Sequence, residues 1–261
     1  MTTQLRLLAG LTALVAGLWF LSSAGAAPPD LKSDSYKKAA EADIRFLKTR
    51  LGELAAMGTD KPKDGQLKPA LTTAMLLVVY ADVLGDTNLK GDAMKVAQAL
   101  AKKGVTGNDL KEPAALAAKL TVKPGTPGGK GEMPKLARFE LDVIMDTFRT
   151  EKVGGMNIQN EIKDLVKAKM PTKPDPAAVE ILATRTAVLL EYATPMPNEK
   201  ASTSAANKAL WEKWMKESVE TSKQLADEAA KGKGADEKKM VKLLQNLDAK
   251  CLACHEKFRD D

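Results

Sequence analysis

The chain has 261 residues, with 40 Lys and Arg against 34 Asp and Glu, a formal charge of +6, and 44% hydrophobic but only 4% aromatic residues. Two cysteines, three positions apart, exclude a disulfide framework. The charges are interleaved, with no cationic block, glycine-rich phosphate loop or aromatic platform that would point to nucleic acid. Alanine, leucine and lysine dominate, so small aliphatic side chains on helices, rather than β-branched and aromatic strands, have to build the core. We expect an all-α fold of one large or two modest domains.

In chain order, Arg6 precedes an apolar stretch over residues 7–21, and Ser22, Ser23, Ala24, Gly25, Ala26 and Ala27 follow before Pro28 and Pro29. This order predicts a secretory signal peptide over 1–26, cleaved after Ala26. The alternative is an uncleaved membrane anchor, for which the apolar run is slightly short. Residues 35–57 then carry Ala39, Ala40, Ile44, Leu47, Leu51 and Leu54 at the three-to-four spacing of one helical face, with Gly58 as a stop. A second helix is predicted over 67–84, ending at Gly85 and Asp86. A third covers 91–103 and stops at Gly104. Asn108 or Asp109 is expected to cap a short helix reaching Leu120.

Residues 123–132 interrupt this pattern with Pro124, Pro127 and four glycines, and read as a linker between an N-terminal helical domain, 27–122, and a second domain, 133–261. Helical patterning resumes over 136–150, breaks at Gly154 and Gly155, and continues over 158–169 to a proline-rich hinge at 171–176. Residues 177–193 form the next segment, stopping near Pro195 and Pro197. The long amphipathic run 203–231 sets Trp211, Trp214, Met215, Val219, Ser222, Leu225, Ala226 and Ala229 on one side, and Gly232 and Gly234 end it.

The final helix, 235–258, places Met240, Leu243, Leu244, Leu247, Cys251, Cys254, His255 and Phe258 on a single stripe. Both cysteines and the only histidine of the chain thus fall in one C-x-x-C-H run. That spacing is the attachment signature of a c-type haem: each thiol forms a thioether to one vinyl group, and the adjoining imidazole reaches the iron as an axial ligand. A structural zinc site needs four ligands, and no further Cys or His exists. A thioredoxin-like dithiol should open a helix after a strand, whereas this pair closes a helical pattern. One covalent haem c is therefore expected. Export agrees with it, because haem is joined to reduced thiols outside the cytoplasm.

Residues 133–261 resemble the cytochrome c′ family and its low-spin relatives, in which C-x-x-C-H lies near the end of the fourth antiparallel helix and is followed by an aromatic and an arginine. Here those are Phe258 and Arg259, and Trp211 and Trp214 sit where the family's third helix carries bulky aromatics. The resemblance implies an antiparallel four-helix bundle carrying haem c on its last helix, preceded here by a second, haem-less helical domain. The run Thr73 to Ala81 echoes Thr186 to Ala193, which suggests that the first domain is a degenerate bundle copy without its last helix. Family members carry an arginine on the first helix, for which Arg138 and Arg149 both qualify. With no second histidine, a sixth iron ligand would be Met145 or Met156. Arg259 would face a haem propionate, and Trp211 or Trp214 would pack on the porphyrin.

The expected function is an exported, periplasmic monohaem electron carrier, free of the membrane once the signal is cleaved. Its redox partner is not named by the sequence, although the mild basic balance suits an acidic surface. If the sixth position is empty, the alternative is a five-coordinate sensor or scavenger of nitric oxide or carbon monoxide. A second alternative is a haem-stapled structural or partner-binding module. Peroxidase chemistry would require a distal acid–base group, and the sole histidine is already used, so an enzyme is not expected. The resemblance also brings homodimerisation through the first helices.

Overall fold

The computed structural model describes residues 27–136, 139–167 and 174–259. The expected signal peptide, Arg138, the stretch 168–173 with the end of one expected helix and most of the proline-rich hinge, and Asp260 and Asp261 lie outside the described residues. Among the described residues the protein is all-α, with no strand. Its helices are α1 Ser33–Ala55, α2 Asp64–Leu84, α3 Thr87–Leu100, α4 Lys111–Lys119, α5 Leu141–Thr147, α6 Ile158–Lys167, α7 Pro176–Ala193, α8 Glu199–Ser202, α9 Ala205–Ala229 and α10 Glu237–Phe258.

Two helices are apolar nearly all round, and such helices must be covered on every side. By length and composition α2 could cross a membrane, yet it is buried in the protein, packed on α1, α3 and α5. The other, α7, packs on α9 and α1. Two of their hydroxyls are satisfied within the helix, Thr73 donating to Pro69 O at 2.7 Å and Thr186 to Leu182 O at 2.8 Å, and Thr72 donates to Val143 O at 2.9 Å. Thr73 and Thr186 open the two echoing runs, and each run carries a buried tyrosine, Tyr80 and Tyr192, just before its closing alanine.

In the N-terminal half, α1 packs on α2, α2 on α3, and α4 on both α3 and α1. The short helix expected to reach Leu120 is α4, nine residues long. Asp109 does not cap it. Its carboxylate turns back to accept from the Thr106 N–H and hydroxyl at 2.8 and 2.6 Å.

The helix expected over 136–150 is reduced to Leu141–Thr147. Glu140 is extended, and past the helix the N–H groups of Gly155, Met156 and Asn157 return to the carbonyls of Thr150, Thr147 and Arg149. Those carbonyls are consumed by a turn with positive φ at Gly154 and Asn157, so the helix does not continue past Thr147.

The proline- and glycine-rich run 123–132 lies against α2. Gly125 donates to Leu84 O, Lys123 N–H to Asp86, Gly131 N–H to Asp82, and the Tyr192 hydroxyl to Gly131 O. A Cβ at Gly129 would stand 2.2 Å from Asp82 O, so this glycine serves close approach.

The segments on either side of that run share one apolar core, from Tyr36 and Leu47 of α1 through Leu77 of α2 to Leu189 of α7, Trp211 of α9 and Phe258 of α10. Between α1 and α7, Glu180 accepts from Ser35 and Lys38 at 2.7 and 3.0 Å, and Arg185 pairs with buried Asp43 at 2.5 Å.

Candidate functional site

The site is built on α10. Asp236 caps its start by accepting from Lys239 N–H, and Met240, Leu243, Leu244 and Leu247 then bury one face. Met240, Leu243 and Leu244 join Leu225, Ala226 and Ala229 of α9 and Val179 and Ala183 of α7 in a second, smaller cluster. Steps of three and four carry the same face on to Cys251, Cys254, His255 and Phe258. The two cysteines and the histidine are partly buried, Phe258 is fully buried, and Leu252, Glu256 and Lys257 point outward. The thiols are free. The expected stripe is therefore a real face, lying against α9 and α6.

Burial determines the chemistry of these groups. The Cys251 thiol is pushed up to about 12, first by burial and then by Cys254 and Asp248, with Lys163 of α6 opposing. Burial also raises Cys254, to about 11. Burial, then the Arg259 and Lys163 charges, hold His255 below the usual imidazole range. A neutral imidazole keeps a nitrogen lone pair for a metal. Among the described residues no group of three or more His, Cys, Asp or Glu side chains is placed to hold a bare ion. A porphyrin-borne iron asks less of the protein, a single axial ligand and two thiols on the same face, and this donor set fits that group.

Phe258 is held edge-on by both tryptophans, with ring centroids 5.8 Å from Trp211 and 5.7 Å from Trp214. The Trp211 indole N–H donates to Thr194 O at 3.0 Å. Arg259 sits at the C-cap in extended conformation with an exposed side chain, its N–H on His255 O.

Cys251, Cys254, His255, Phe258, Arg259 and Trp211 are thus gathered at one end of α10. The two methionines belong to the same apolar core as the cysteines. Met145 lies on α5, whose main packing partners are α2 and α7, and the sulfur of buried Met156 accepts from the Thr73 hydroxyl of α2 at 3.7 Å. Arg149 is exposed and paired with Asp146 at 3.2 Å. Sequence reasoning missed Lys163, Asn198 and Lys200. Only Asn198 carries a signal, an N-cap residue directly ahead of a helical Glu199.

A cleft bounded by Asp64, Leu67, Lys68, Leu71, Leu100, Glu140, Asp142 and Val143 contains none of the motif residues. Its cation, Lys68, is already paired with Asp142 and Asp146 at 2.6 and 3.5 Å. No family model matches the chain, and comparison with curated proteins and with solved structures finds no match.

Proposed function

We propose that the mature chain is an exported monohaem c-type cytochrome, similar to the cytochrome c′ family, in which α6, α7, α9 and α10 form an antiparallel four-helix bundle with haem c on α10. The observation that carries this reading is the placement of Cys251, Cys254 and His255 on one partly buried face of α10, with both thiols unpaired. When bound, the haem supplies one-electron exchange or an iron position for a small gas. Cys251 and Cys254 tether it, and His255 offers a neutral nitrogen. Burial under α6 and α9 keeps water from competing for that nitrogen. The role that follows is electron transfer with a partner protein.

A second reading has its own support. The Met156 sulfur already has a partner in the Thr73 hydroxyl. If it keeps that partner the sixth position stays open, which favours binding of nitric oxide or carbon monoxide.

Mass spectrometry of the exported chain, with absorption spectra of both oxidation states with and without carbon monoxide, tests both readings. A covalent macrocycle is expected, lost in a Cys251→Ala, Cys254→Ala double variant, and His255→Ala should abolish native ligation. A carbon monoxide shift selects the gas-binding reading. A reversible couple with no such shift selects the carrier, and an inert haem points to a structural staple. A colourless mature chain of unmodified mass would end the proposal.

A further inference from the structure

A helix is loosest at its C-terminus, where the last four carbonyls have no donor within the helix. Many helices repair this locally, with a left-handed residue after the last turn. α10 does not, because Arg259 is extended, at φ −76 and ψ 139. Beyond the Arg259 N–H on His255 O, its terminal carbonyl and the next one take donors from a segment some 60 residues earlier. The Asn198 side-chain N–H donates to Phe258 O, and Lys200 Nζ donates to Arg259 O at 2.8 Å.

Asn198 does two things at once. Its amide oxygen accepts from Ala201 N–H at 2.9 Å and so caps α8, while its amide nitrogen holds the end of α10. The connection carrying it is fixed in turn, since Thr194 O receives the Trp211 indole N–H at 3.0 Å. The same Trp211 grips the Phe258 ring. Backbone and side chain of Phe258 are therefore both held by the α7–α8 connection and α9. Phe258 lies three residues from His255 and four from Cys254, on their face. Whatever fixes that last turn also fixes where the imidazole points.

We infer that Asn198 is a positioning residue for His255: by tying the Phe258 carbonyl to the start of α8, it locks the last turn of α10 and sets the direction of the axial imidazole. The inference rests on the haem reading, and it assigns the α7–α8 connection a task that α8, four residues long, would not otherwise have.

Asn198→Asp separates the two roles, because a carboxylate still caps α8 but cannot donate to Phe258 O. Asn198→Ala removes both contacts. Each variant is to be made in the full chain, exported with its haem. Mass spectrometry, amide hydrogen exchange, and the pH dependence of the axial-histidine signature in absorption and magnetic resonance spectra are then compared with wild type.

Asn198→Asp should keep its thioethers and exchange amides in 255–259 at least tenfold faster, with 240–247 unchanged. It should also weaken or split the axial signature and move the pH at which that signature is lost upward by half a unit or more. Asn198→Ala should show the same with a less stable fold, and if it does not fold, the aspartate variant alone decides. A wild-type axial signature in a haem-bearing Asn198→Asp, whatever its exchange rates, overturns the assignment. A wild-type chain with no macrocycle overturns instead the haem reading on which it rests.

Discussion

At the scale of single residues, the two thiols differ in a way that can be measured on chain produced without haem. Thiolate is the reactive form, and Cys251, at about 12, is suppressed further than Cys254, at about 11. In the folded chain iodoacetamide at pH 8 should therefore label Cys251 several-fold more slowly than Cys254, and unfolding should make both fast. Faster labelling of Cys251 than of Cys254 would contradict the packing of α6 over it. The sign of the pH effect follows from the same shifts. Both folded values lie above the reference 9.0, so the stability contributed by the protonated thiols is complete below pH 9 and is lost as pH rises through about 11 and then about 12. On the haem reading, thioether formation should abolish this dependence. The three motif residues were legible in the sequence because they are contiguous in one C-x-x-C-H run. Asn198 and Lys163 were not, because they reach α10 only through the packing of other helices. For Met145 and Met156 the sequence could offer residue type alone. Their placement depends on α2, and a methionine on an apolar face is most often a core filler.

At the scale of elements, the hairpin of α9 and α10 depends on Glu228, which is only 2% exposed. Its carboxylate accepts from Asp236 N–H at 2.9 Å, from Lys231 at 2.8 Å and from Lys239 at 2.8 Å, and so joins the end of one helix to the cap of the next. The Asp236 N–H first, then Lys231 and Lys239, hold this carboxyl down at about 2. A depressed folded value means stabilisation that is full above the reference 4.5 and fades as pH falls through about 2. Glu228→Gln should cost about 1–2 kcal/mol at neutral pH, with both lysines half exposed and screened. The gap from wild type in denaturant titrations should narrow steadily between pH 4.5 and 2. A gap independent of pH would show that the charge does not matter there. The helices themselves were readable from period and stops: 203–231 became Ala205–Ala229 and 235–258 became Glu237–Phe258. What period cannot report is competition for backbone carbonyls. Leu136 and Phe139 look helical in sequence yet lie before the extended Glu140, and past Thr147 the turn around Gly154 takes the carbonyls that would carry α5 onward.

At the scale of the whole molecule, the run 123–132 is tied to the end of α2 and the turn after it. Proline and glycine remove it from any helix, but they do not free it from the protein. Its N–H groups bond to Leu84, Asp82 and Asp86, and Gly129 meets α2 too closely for any side chain. The helices on either side then share a core, crossed by one deeply buried ion pair, in which Arg185 of α7 meets Asp43 of α1, itself 0% exposed. Burial raises the Asp43 carboxyl and Arg185 opposes it, so that carboxylate depends on a partner from the other half of the chain. Arg185→Met leaves Asp43 buried without its counter-charge, which should cost about 3–5 kcal/mol, and adding Asp43→Asn should restore much of the loss. In a chain produced from Ala27 onward the tryptophans are Trp211 and Trp214, which both lie in α9 and report on the C-terminal half, whereas far-ultraviolet circular dichroism reports on every helix. If the shared core couples the halves, denaturation curves from the two probes should superimpose in wild type and in Arg185→Met, the variant's pair displaced together to lower denaturant. Separate midpoints in wild type would mean that the two halves fold as independent units and that the Asp43–Arg185 pair does not bind them into one.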